Sequence, residues 1–181
     1  MNPLVSPPEP KLPLAPDLYG DLDSFHELRE RLQALPGTAR FTDEQVEIVY
    51  GIAYALYQQG KFDSAMGLFQ VLITYRPLDA RLMMAFALCC KRMCRFDAAI
   101  PAFSAALAID PEQPEAIEAA IHLSECLAAL GKAEECQSVL EPLLRLTEVD
   151  SRFDSIKRRA ETLRAMLHEQ QVNVDHDKKA H

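Results

Sequence analysis

Residues 46–79, VEIVYGIAYALYQQGKFDSAMGLFQVLITYRPLD, run directly into residues 80–113, ARLMMAFALCCKRMCRFDAAIPAFSAALAIDPEQ, and the two 34-residue stretches superimpose without a gap. Val49, Ile52, Ala53, Leu56, Gly60, Ala65, Phe69, Leu72 and Pro77 of the first fall on Met83, Phe86, Ala87, Cys90, Cys94, Ala99, Phe103, Ala106 and Pro111 of the second. Apolar residues three and four apart, interrupted once per period by a turn residue, describe a helix pair. Ala53 and Ala65, like Ala87 and Ala99, let the two helices approach, Phe69 and Phe103 fill the space between them, and the prolines stand where a helix must stop. One pair cannot bury its own apolar face, so successive pairs must stack.

This period and its small/large pattern are similar to the tetratricopeptide repeat. The expected fold is all-α, a tetratricopeptide superhelix of three repeats over residues 41–148. In the third repeat Leu123, Ser124, Leu127, Gly131, Cys136, Leu140 and Leu143 take the pattern positions, but Gly131 falls 37 residues after Cys94. Three residues are therefore added near 111–117, which predicts a first helix starting early, at Pro114. Thr42 with Gln45 reads as a capping box, Gly60 as a left-handed turn, and Asp63 and Asp97 as caps of the second helices. Cys94 replaces the glycine, so a β-carbon stands in the second turn and predicts a differently shaped one. Pro142 falls inside a predicted helix and should kink it or cost up to ~3 kcal/mol.

Outside the repeats, residues 1–17 hold six prolines, which favour extended conformations, and residues 1–20 are expected to be a disordered tail. Leu22, Phe25, Leu28, Leu32 and Leu35 recur at spacings of three and four, predicting an amphipathic helix over 21–37 that Pro36-Gly37 ends. Its stripe needs a partner. Residues 151–171, with Phe153, Ile156, Ala160, Leu163 and Leu167 on one face, predict a helix capping the stack, followed by a frayed tail at 172–181.

The composition narrows the function. A net charge of −8 and a pI near 5.1 argue against nucleic acid as the main partner, because phosphate binding rests on clustered Lys and Arg. Five cysteines form no CxxC pair, and the N-terminus resembles no signal peptide, which predicts a reducing cytoplasmic setting. Cys90 and Cys94 sit four apart with Cys89 beside them, but Cys90 is a core position, so a buried apolar role outweighs a metal site and no cofactor is expected. Runs such as residues 98–109 are too short for direct membrane insertion. No P-loop, HExxH or GxSxG is present, and His26, His122, His168, His176 and His181 are scattered, so no catalytic residues are assigned.

A recognition surface is better supported. At about 100° per residue, Tyr50, Tyr54 and Tyr57 cluster on an arc roughly 115° from the apolar stripe of the same helix. The equivalent positions are Met84, Leu88 and Lys91 in the second repeat, and Ile121, Glu125 and Ala128 in the third. Aromatic and aliphatic residues with a few charges suit a peptide groove. The alternative is that the tyrosines pack against the helix at 21–37, and both readings stand.

The run from Val49 to Phe62, VYGIAYALYQQGKF, together with Asp79-Ala80-Arg81 and the stretch HLSECL at 122–127, resembles the class II chaperones of bacterial type III secretion, which hold translocator proteins. The resemblance covers about residues 41–146. It implies three tandem repeats, a groove taking an extended translocator segment, and a homodimer formed through the N-terminal helix, here Leu22, Phe25, Leu28 and Leu32. It further implies that hydrophobic translocators are kept soluble and apart without ATP. A generic tetratricopeptide scaffold, with or without a co-regulatory role, is the alternative.

Overall fold

The computed structural model describes residues 41–109, 111, 114–147 and 151–179. The predicted tail at 1–20 and helix at 21–37, with Leu22, Phe25, Leu28 and Leu32, lie outside the described residues. Within them the chain is all-helical: α1 Asp43–Gln58, α2 Phe62–Tyr75, α3 Ala80–Arg92, α4 Phe96–Ile109, α5 Pro114–Ala129, α6 Ala133–Thr147 and α7 Asp154–Lys179, the last preceded by a 3-10 turn, Ser151–Phe153. These helices form two compact units, one ending at Ile109 and one starting at Asp110.

Local chemistry sets the helix ends. The Thr42 hydroxyl accepts the Gln45 N–H at 3.2 Å, and the Gln45 side chain accepts the Thr42 N–H at 2.9 Å, completing the capping box. The Asp79 carboxylate accepts the Arg81 N–H at 3.0 Å and caps α3. Asp63 and Asp97 are not caps. The helices begin one residue earlier, at Phe62 and Phe96, so both aspartates lie in the first turn, where the helix dipole favours negative charge.

The three turns that join the two helices of each repeat share one geometry. Gly60 and Gly131 have φ of +77° and +70°, and Cys94 takes the same left-handed conformation at +56°. Each following residue returns its N–H to the carbonyl five back, Lys61 to Leu56, Arg95 to Cys90 and Lys132 to Leu127, at 2.8–3.0 Å. The expectation of a differently shaped turn at Cys94 is corrected: the hydrogen bonds of the turn hold the cysteine in it.

The first unit packs α1 to α4 around Ala53, Ala65, Ala87, Ala99, Phe69 and Phe103, all fully buried. Truncating either phenylalanine to alanine would cost about 3–5 kcal/mol. Residues Leu82, Met84, Ala85, Ala87, Leu88, Cys89 and Cys90 are buried around the whole circumference of α3, as expected of a helix with neighbours on several sides.

In the second unit α5 starts at Pro114 and is 16 residues long against 13 for α3, so the added residues lengthen the first helix of the repeat. Proline at the first helical position loses no bond. α6 runs unbroken through Pro142, as α4 does through Pro101. Both prolines are exposed, on the side of the helix where a released carbonyl can be hydrated. Ile156, Ala160 and Leu167 of α7 are buried, and the helix continues to Lys179, past the predicted end at residue 171. Residues 172–179 hold no proline or glycine to stop it.

Candidate functional site

The arc of α1 beside its core stripe carries the three tyrosines, but they are not equally open. Tyr50 is fully buried, its ring centroid 5.4 Å from that of Phe69. The guanidinium of Arg81, on α3, lies 4.3 Å from the same centroid. Tyr57 is buried edge-on to Phe62 at 5.2 Å. Tyr54 is half-buried, and its hydroxyl accepts the Gln58 side-chain N–H at 2.9 Å. On α3, Met84 and Leu88 are buried and Lys91 is half-buried; on α5, Ile121 is buried and Glu125 half-buried.

The expected open row is therefore corrected in its exposure. Helical periodicity placed Tyr50, Tyr54 and Tyr57 on one arc, but it could not see that Phe69 and Arg81 close over Tyr50. Within the first unit the row is an apolar seam with Tyr54 and Lys91 as its accessible members.

Two charged clusters escaped the sequence reading. In the first unit Arg81 grips Glu47 with two guanidinium nitrogens, Nη1 at 2.9 Å from Oε2 and Nη2 against Oε1, both side chains being 13% exposed. Asp79 Oδ2 is 3.8 Å away. In the second unit Arg159 of α7 donates to Glu125 Oε1 through Nη2 at 2.6 Å and Nε at 3.1 Å, while the other Glu125 oxygen lies 3.1 Å from Nδ1 of the buried His122. Glu125 is thus engaged by α7. Each pair links residues 34 apart, one repeat length, and that coincidence was the available signal.

The buried phenols and thiols of the first unit are uncharged. Burial raises the Tyr50 phenol far above its usual range, and it pushes Tyr57 up to about 12 although Arg92 pulls the other way. Burial likewise raises the Cys89 and Cys90 thiols, which stay protonated. Among the described residues no three His, Cys, Asp or Glu side chains are grouped as metal ligands, and no helix is long and apolar enough to cross a membrane. The accessible edge of the seam, at Tyr54 and Lys91, can take apolar and aromatic side chains of an extended peptide.

The repeat geometry defines the class, and two tetratricopeptide-repeat family models match residues 50–114 and 93–160. The chain carries tetratricopeptide repeats and has the tetratricopeptide fold. It is homologous to the low calcium response locus protein H of Yersinia pestis, with 26% identity over 122 residues, 67% of this chain and 71% of the relative. The fold matches that of the Yersinia enterocolitica type III secretion translocator chaperone SycD bound to a peptide of the translocator YopD, at TM-score 0.66 and 24% identity over 72% of this chain and 97% of SycD. It also matches PcrH bound to the chaperone-binding region of PopD, at TM-score 0.67 and 21% identity over 74% and 99% of the two chains. SycD has also been solved as an alternative dimer.

Proposed function

We propose that this chain is a translocator chaperone of a bacterial type III secretion system. It binds an extended segment of a hydrophobic translocator along the first-unit seam of Tyr50, Tyr54, Tyr57, Met84 and Leu88, which the client enters at its accessible members, Tyr54 and Lys91. The client stays soluble and separate until export. The chaperone is cytoplasmic, is not an enzyme, and self-associates through Leu22, Phe25, Leu28 and Leu32.

The observation that carries this reading is the match of fold, over about three quarters of the chain, to chaperones solved with translocator peptides bound. The apolar seam with a half-buried tyrosine at its edge is consistent with it, since such anchors carry most of the energy of a small interface. Co-expression with a translocator bearing long apolar segments tests it. The expected result is a soluble complex that survives size-exclusion chromatography. A translocator that precipitates equally with and without the chain contradicts it.

A further inference from the structure

The side chain of Arg81 makes three contacts at once. It pairs with Glu47 through both ends of its fork, lies over the Tyr50 ring, and sits beside the Asp79 carboxylate that caps its own helix. Glu47 and Tyr50 are three residues apart on α1, hence on one side of that helix. A single residue of α3 therefore holds α1 at two points, one ionic and one through the face of a ring. Two such points fix both the separation of the helices and the rotation of α1 about its axis. That rotation decides whether Tyr54, four residues beyond Tyr50, stands at the open edge of the seam.

We propose that Arg81 is the positioning residue of the client face. It touches no client atom; it holds Tyr50, and through the turn of helix between them Tyr54, in register with Met84 and Leu88. This rests on the reading of that seam as the client site. A planar fork is required for it. Lysine keeps the charge but loses the paired geometry and the stacking over the ring, so Arg81→Lys is not conservative here.

The experiment uses the full chain and fluorescence anisotropy with labelled peptides of the chaperone-binding region of PopD and of the YopD segment, each titration paired with a thermal melt. Arg81→Lys is expected to keep the helical spectrum and to weaken peptide binding roughly tenfold, mostly through faster dissociation. The second variant is the exchange Glu47→Arg with Arg81→Glu. It restores an ion pair between the helices, and with it the melting temperature, but sets a carboxylate rather than a cation against the Tyr50 ring, so affinity stays low.

Recovery of affinity together with stability in the exchange would reduce Arg81 to a structural staple and overturn the proposal. So would undiminished binding by Arg81→Lys. Binding by Tyr54→Glu at wild-type strength is a separate outcome: it removes the client from this seam, and Arg81 loses its role there with it.

Discussion

Cys94 stands at φ +56°, where its two counterparts in the other turns are glycines. A β-carbon in that region costs about 1 kcal/mol or more, and the turn tolerates it because the hydrogen bonds of the motif over-determine the backbone. Cys94→Gly is therefore expected to stabilise the first unit by about 1 kcal/mol, less the extra freedom glycine gives the unfolded chain. Urea unfolding followed by circular dichroism checks this, and an unchanged or lower midpoint contradicts it. Small and glycine positions of this kind were legible from the sequence, because steric requirements at a turn allow few residues. The burial of Tyr50 was not legible. Its partners Phe69 and Arg81 lie 19 and 31 residues away in sequence, and a helical wheel sees only its own helix.

At the scale of elements, α7 is held on the second unit by its buried Ile156, Ala160 and Leu167 and by the Arg159–Glu125 pair. The pair is about one quarter exposed on each side, so solvent screening lowers its worth. Arg159→Ala should destabilise the unit by about 1–2 kcal/mol, part of it the cost of leaving Glu125 beside buried His122 with one cation fewer. The variant melts earlier by a few degrees if this holds, and at the wild-type temperature if the pair is solvated. Among the described residues, the helix count, the turn positions and the start of α5 at Pro114 followed from period and punctuation. The placement of Asp63 and Asp97 did not, because the turn geometry starts each second helix two residues after its left-handed residue, inside the predicted cap. The two 34-residue ion pairs were visible only as a coincidence of period and charge until the helices were laid side by side.

Across the whole molecule, the buried thiols and phenols predict alkaline sensitivity. Their folded-state pKa values are raised, so the folded chain holds protons that the unfolded chain releases. The associated stability is intact below the ordinary thiol value of 9.0 and is lost as pH rises through the folded values, about 11 for Cys136 and about 12 for Tyr57, both set mainly by burial. Melting temperature should accordingly hold steady from pH 7 to about 8.5 and fall progressively above 9. A flat profile to pH 11 would show these groups to be solvated.

An extended client lying on the seam of α1 and α3 would be sensitive above all to one position, Tyr54. Tyr54→Glu places a charge at the accessible edge of that seam, while Ala53→Glu places one at a fully buried position between packed helices. Titrating each variant with the PopD chaperone-binding peptide, beside a circular-dichroism melt, separates recognition from folding. Tyr54→Glu is expected to melt close to wild type and to lose binding by several kcal/mol, whereas Ala53→Glu unfolds. Tyr54→Glu that binds as wild type, or that melts as Ala53→Glu does, would contradict that placement of the client.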